Sequence, residues 1–136
     1  MKIRVPVDPV DAVADELQQW FADLDGFDDV IVRTTRPANW QAVPAAPRLL
    51  LVENDGGPGM WPVATIVTLR VTAWTHGRDT DLCTTAIGLL LSGRPIAGLA
   101  RVKPGTWPIE ATDSTTHASL NSATVRATVR TEEKDI

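Results

Sequence analysis

The feature that most constrains the fold is a change of hydrophobic period within residues 63–91. From 67 to 74 apolar and polar residues alternate, which is typical of a strand with one face in a core. After Gly77 the apolar residues recur every three or four positions, as on one side of an amphipathic helix. The segment therefore predicts a strand over 63–75 and a helix over 79–92 that folds back on it. Asp79 or Thr80 is suited to cap this helix.

A second helical pattern lies near the N-terminus. Asp8 is suited to cap a helix and Pro9 to begin one, and apolar residues then follow a helical period as far as Leu24. Gly26 predicts the exit from the helix. The apolar stripe contains Trp20, which we expect to be buried against the sheet.

The remaining segments predict short strands joined by long loops. The final strand alternates small apolar residues with Thr and Arg, so it has one apolar and one polar face. We predict strands over 29–36, 48–53, 63–75, 96–102 and 120–130, and loops over 37–47, 54–62 and 104–119. The order α-β-β-β-α-β-β predicts a two-layer α+β domain with both helices on one face of a mostly antiparallel sheet of four or five strands. This domain would span residues 1–131, and residues 132–136 would form a solvated tail.

Length and charge narrow the class of protein. A chain of 136 residues favours a single domain. Its net charge of −4 disfavours a general nucleic-acid binder, which would normally have a basic face. The one cysteine, Cys83, lies on an apolar stripe and is interpreted as a buried small hydrophobe. Because the N-terminus has no signal-peptide pattern and no apolar run reaches the length of a membrane span, we expect a soluble protein made in a cytoplasm.

The residue types that carry catalysis do not form a recognisable pattern. His76 and His117 lie in predicted turns, without a Cys, Asp or Glu at metal-ligand spacing. The chain has neither a nucleophile elbow nor a phosphate-binding glycine loop. The carboxylates of the first helix have the spacing of a solvated face. The sequence therefore predicts a protein that is not an enzyme, with no catalytic residues, metal or cofactor.

Tryptophan and arginine provide the candidate contact residues. Three tryptophans, Trp40, Trp61 and Trp107, lie in the proline-containing loops. They either fold back over the core or bury against a partner, where tryptophan often dominates the binding energy. Arginines lie on the polar faces of two strands and are suited to pair with carboxylates across a contact. The candidate interface residues are Met60, Trp61, Arg70, Trp107, Arg126 and Arg130.

The layout of the whole chain resembles the tail terminator proteins of long-tailed, non-contractile bacteriophages. The resemblance rests on the N-terminal helix DPVDAVADELQQWFADL, a first strand that ends at Arg36-Pro37, and the strand LLLVENDGG. It continues with VTLRVTAWT, DTDLCTTAIGLLL, a loop rich in Pro, Gly and Trp, and the last strand ATVRATVR. The match is one of layout, and none of these segments is a specific motif.

The resemblance implies a structural virion protein at the head-proximal end of the tail. Such a protein forms a ring, usually of six subunits, that caps the tail tube, stops its growth and joins tail to head. The implied partners are further copies of the chain, the tail tube protein and head–tail connector proteins, while DNA passes through the lumen without specific binding. Two alternatives stay open: another neck, connector or tail completion protein of similar fold, and a small module that holds an anion with Arg70, Arg126 and Arg130.

Overall fold

The computed structural model describes residues 1–56, 66–77, 79 and 81–136. It confirms the α+β class, with two helices and a mostly antiparallel sheet. In the described residues the main sheet has six strands where four or five were predicted, and a two-stranded sheet lies beside it. The described elements are β1 Lys2–Pro6, α1 Pro9–Ala22, β2 Ile31–Arg33, β3 Leu49–Asn54, β4 Ile66–Thr75, α2 Asp81–Leu90, β5 Leu99–Pro104, β6 Ile109–Thr112, β7 Ser119–Val129 and β8 Thr131–Asp135.

The main sheet has β4 and β7 at its centre. In the described part of the chain its strands follow the order β2-β3-β4-β7-β5, and β6 also pairs with β7. Strands β2 and β3 are parallel, and the other pairs are antiparallel. Strand β5 pairs with residues 125–129 of β7 and β6 with residues 119–122. The two short strands therefore lie one after the other along the same edge of β7.

The two chain termini form a separate two-stranded ribbon. Strand β1 pairs with β8 in antiparallel register, with Ile3 opposite Lys134. The ribbon joins the main sheet at Arg130, whose backbone N–H donates to Gly98 and whose carbonyl accepts from Val7. Residues 132–136 are exposed, as expected of a solvated tail, but the strand Thr131–Asp135 was not predicted. The N-terminal strand was also missed, because its partner lies at the other end of the chain.

The core contains the apolar side chains that the alternation predicts. Val71 of β4 lies between Val52 of β3 and Ala123 of β7 in the register, and all three are fully buried. They share one apolar cluster with residues of both helices, and α1 packs over β2 and β3 while α2 packs over β4 and β7. Cys83 is buried in this cluster, as predicted, and burial raises the pKa of its thiol to about 11.

Several predicted boundaries were wrong. The first main-sheet strand covers only Ile31–Arg33, and the predicted loop over 104–119 contains the strand β6. Helix α1 begins as predicted, since the Asp8 carboxylate accepts the N–H of Val10. Trp20 is only partly buried, and the guanidinium of Arg94 lies over its ring, 5.5 Å from the ring centroid. The fully buried aromatic residue of α1 is its neighbour Phe21.

The loop after β2 folds back over the side of the main sheet that faces away from the apolar cluster shared with the helices. We call this the second side of the sheet. Trp40 is buried there, and its indole Nε1–H donates to the carbonyl of Pro47 at 2.8 Å. Its ring meets that of Trp74 edge to face, with centroids 6.2 Å apart. Of the two interpretations of the loop tryptophans, Trp40 follows the first: it anchors its loop on the fold.

Arg48, which directly precedes β3, binds the turn between α1 and β2 and the segment before α2. Its guanidinium pairs with Asp29 at 2.7 Å and with Asp79 at 3.2 Å. It also donates to the carbonyl of Gly26 and lies over the ring of Phe27. The hydrogen bonds from Arg48 lower the pKa of the Asp29 carboxyl, and the bonds to Asp29 raise the pKa of Arg48. This residue therefore organises the turns that precede β2 and α2.

Candidate interaction surface

The outer edge of β2 is occupied by a side chain of α1. The Gln18 amide accepts the N–H of Val32 at 2.8 Å and donates to the carbonyl of Val30 at 3.1 Å. This pair of bonds has the same donor and acceptor pattern as a neighbouring strand. Because an unpaired edge invites another chain to pair with it, Gln18 protects this end of the sheet.

The opposite edge is built differently. Strands β5 and β6 are separated by residues 105–108, and Thr124 of β7 lies opposite this interruption. The Thr124 hydroxyl accepts the N–H of Thr106 at 2.8 Å. A Cβ at Gly105 would lie 2.5 Å from the Thr124 carbonyl oxygen, so only glycine fits here without a shift. The interruption is therefore held by specific contacts with β7.

These contacts leave two large apolar side chains in solvent. Trp107 is 87% exposed and Ile109 is 62% exposed. Beside Trp107 lies a mostly apolar groove of about 460 Å³ between α2 and residues 104–108, lined in part by Ile87 and Leu91. We call Trp107, Ile87, Leu91 and Pro108 the edge patch. An exposed tryptophan next to an apolar groove has the composition of a protein-binding site.

Arg70 lies on the second side of the sheet, the side on which Trp40 packs. Its guanidinium pairs with Asp55 at 2.9 Å and donates to the hydroxyl of Ser122 at 2.8 Å. The Ser122 hydroxyl in turn accepts from Thr72. Arg70 therefore already has a carboxylate and a hydroxyl partner within the chain.

Arg126 is exposed and lies on the same side of the sheet as Arg70. It is directly opposite Thr68 on β4 and Lys103 on β5. Arg101 lies two residues before Lys103 on β5 and is also exposed. We call Arg101, Lys103 and Arg126 the basic edge. None of the ion pairs of the described residues involves them.

Arg130 lies apart from the other two predicted arginines. It follows the end of β7, and its Nε–H donates to the carbonyl of Leu99 at 3.3 Å. The structure therefore brings Arg70 and Arg126 to one side of the sheet without joining all three into one pocket. Met60 and Trp61 lie outside the described residues.

Several residues of this surface were missed from sequence. Ile109 was assigned to a loop, and Lys103 lay just beyond the strand predicted over 96–102. An available signal was the alternation of Ile109 and Ala111 with polar residues, although four residues are too few to distinguish a strand from an extended loop.

The histidines and acidic residues form no metal cluster in the part of the chain that is described. Within residues 1–56, 66–77, 79 and 81–136, no three His, Cys, Asp or Glu side chains are grouped as a metal site would require. His76 is exposed, and His117 is exposed in a turn with a positive φ of 60°. None of the described helices is long and apolar enough to cross a membrane.

Comparison with known proteins adds no family to these observations. No protein-family model matches the chain, and no curated protein shows significant similarity to it.

Proposed function

We propose that this protein is a structural subunit of a phage tail, a tail terminator that forms a ring on the last tube ring. In this role it stops growth of the tube and joins the tail to the head. The observation that carries the proposal is the edge patch, in which Trp107 is 87% exposed beside an apolar groove. Burying such a side chain in a partner is a common source of binding energy in protein assemblies.

The layout of the chain supports the same proposal. Two helices, a mostly antiparallel sheet and long connections are what the resemblance to tail terminators implies. The finer arrangement, two layers with both helices on one face, belongs to this proposal and is supported by the apolar cluster that the helices share with the sheet. It leaves the edge formed by β5 and β6, where Trp107 is exposed, for contacts with other subunits.

The overall charge suits the proposed position in the particle. A ring of six copies with a net charge of −4 each would repel DNA phosphates on average. DNA would then pass through the lumen without being held. The partners in this proposal are neighbouring copies, the tail tube protein and the head–tail connector proteins, and the protein is located at the head-proximal end of the tail.

The anion-binding alternative has less support. It required Arg70, Arg126 and Arg130 to converge, but Arg70 is bound to Asp55 and Arg130 lies beside Leu99. The other alternative, a neck or completion protein of similar fold, would use the same kind of surface. It differs in the step of assembly that fails when the protein is absent.

The decisive experiment is electron microscopy of a phage lysate that lacks this protein. We expect intact heads together with abnormally long, unattached tubes. Tubes of normal length that fail to join heads would assign the protein to the neck instead. Normal tails joined to heads would rule out both roles.

Complementation then tests the edge patch. The Trp107→Ala variant should fold normally, because its side chain is mostly in solvent, but it should restore few joined tails. Val43→Ala is the matched control, since it also removes an exposed apolar side chain from a different loop. Full complementation by Trp107→Ala would remove the edge patch from the proposal.

A further inference from the structure

The charged residues of the described chain are unevenly distributed between the two ends of the main sheet. Strand β2 is at one end of the order and β5 is at the other. With a spacing of about 4.8 Å between strands, four spacings place these edges about 19 Å apart. Charged groups at one end of the sheet are therefore too far away to pair with charged groups at the other end of the same copy.

The β5 end carries positive charge on the second side of the sheet. Lys103 and Arg126 face each other directly across strands β5 and β7. Like charges in this position destabilise a strand pair, so the pairing costs stability within the chain. An external group of negative charge would remove this cost.

The β2 end carries negative charge. Asp11 and Asp15 have helical spacing to Gln18, and Gln18 lies against the outer edge of β2. These aspartates therefore lie on the side of α1 that borders this end. Asp25 and Asp28 follow in the turn before β2, and all four are exposed. We call Asp11, Asp15, Asp25 and Asp28 the acidic edge. Arg33 is a basic residue nearby, and its guanidinium is bonded to Gln18 and to the Val32 carbonyl.

We infer that the basic edge of one copy binds the acidic edge of a second copy. The contact is head to tail, because the two surfaces are different and lie at opposite ends of one sheet. Contacts of this kind close into rings when the rotation between copies allows it. The inference rests on the proposed function, which requires a ring, and adds to it the surfaces through which neighbouring copies bind.

The bonds made by Gln18 define the kind of contact. Since Gln18 occupies the N–H of Val32 and the carbonyl of Val30, β2 cannot pair with a strand of the next copy there. The two copies therefore meet through side chains and not through a continuous sheet. Paired charges on a protein surface are screened by salt, so the association should weaken as ionic strength rises.

Charge exchange between the two edges provides the test. Variant one carries Arg101→Glu and Lys103→Glu, which makes the basic edge acidic. Variant two carries Asp15→Lys and Asp28→Lys, which makes the acidic edge basic; Asp11 is retained because it favours the first turn of α1. For each variant alone, the dissociation constant of self-association should rise at least about tenfold, which corresponds to about 1.4 kcal/mol.

An equimolar mixture of the two variants should associate again. In the mixture the reversed edge of each variant meets an edge of opposite charge on the other. The control is Lys2→Glu with Lys134→Glu, which makes the same change of net charge as variant one but on the terminal ribbon, and it should leave association intact. Circular dichroism shows whether each variant is folded, and analytical ultracentrifugation measures the mass.

Four results would overturn the inference. The first is wild-type protein that stays monomeric up to about millimolar concentration, the range of the weakest specific contacts. The second is single variants that associate like the wild type, and the third is a mixture of folded variants that does not associate. The fourth is binding of a DNA duplex by the basic edge without self-association, which would assign that edge to nucleic acid. Tail assembly is measured in a separate experiment. If the protein self-associates through these edges but a phage that lacks it still makes normal tails, the proposed function is rejected and the inference about the two edges stands.

Discussion

The side-chain amide of Gln18 and the backbone N–H of Val32 form a 2.8 Å hydrogen bond that closes the β2 end of the sheet. A second bond from the same amide reaches the carbonyl of Val30. At the opposite end, Ile109 of β6 is 62% exposed. This asymmetry gives the molecule one protected sheet edge and one with an exposed apolar patch.

Removing this amide should destabilise the fold and expose the edge. In Gln18→Ala the N–H of Val32, a buried residue, loses its partner, which typically costs about 1–3 kcal/mol. We expect lower stability in denaturant unfolding and more aggregation by light scattering. Gln19→Ala is the control, because that neighbouring side chain is exposed. Equal stability of the two variants would contradict the role of Gln18.

Adding a methyl group at Gly105 should disturb the edge patch. The new Cβ would clash with the backbone of Thr124, whereas a Cβ at Gly88 of α2 meets nothing within 4 Å. We expect Gly105→Ala to lower the free energy of unfolding by about 1–3 kcal/mol, as overpacking does. Gly88→Ala should raise it by up to about 1 kcal/mol, because alanine favours a helix. Denaturant titration of both variants measures these changes. A Gly105→Ala variant as stable as the wild type would contradict the predicted clash with Thr124.

The two tryptophans of the second side should respond differently to replacement by phenylalanine. The Trp40 indole donates to Pro47, whereas the buried Nε1–H of Trp74 has no hydrogen-bond partner among the described residues. Both replacements reduce apolar contact, but only Trp40→Phe breaks a hydrogen bond. It should therefore cost about 0.5–1.5 kcal/mol more than Trp74→Phe. Thermal unfolding compares them directly, and a larger loss in Trp74→Phe would be inconsistent with this assignment.

The pair of Asp29 and Arg48 should contribute to acid sensitivity. Hydrogen bonds from Arg48 lower the pKa of Asp29 in the folded protein below its ordinary value of 3.8. The stabilisation is therefore present above about pH 3.8 and is lost as the pH falls through the lower folded pKa. Asp29→Asn should be less stable than the wild type at pH 7, and the difference should narrow below pH 3.8. Unfolding curves from pH 7 to pH 2 measure it, and a constant difference would contradict the linkage.

The residues around the core were largely predictable because their signal is local. The alternation around Leu69 and Val71 gave the buried side of β4, and the spacing of Leu82, Cys83 and Ala86 gave the buried side of α2. These periods are properties of a strand and a helix themselves, so they require no knowledge of the neighbours. The same holds for the cap at Asp8, which bonds to a residue only two positions away.

The candidate site was predictable only in part. Trp107 was identified because a tryptophan in a proline-containing loop is unusual, and it is exposed as a contact residue would be. Arg70 looked equally available, but its pairing with Asp55 depends on how β3 and β4 meet. Lys103 could be assigned to the basic edge only from the strand register, which places it opposite Arg126.

The α+β class, the two helices and the central strands were predictable from the sequence, since each follows from the period of its own residues. The tertiary structure decided which strands are neighbours, which edge is covered and where the termini lie. Gln18 covers β2 from 14 positions away along the chain, and Lys2 pairs with Asp135 from the opposite end of the protein. Contacts of this range depend on the packing of the whole domain, and no local pattern encodes them.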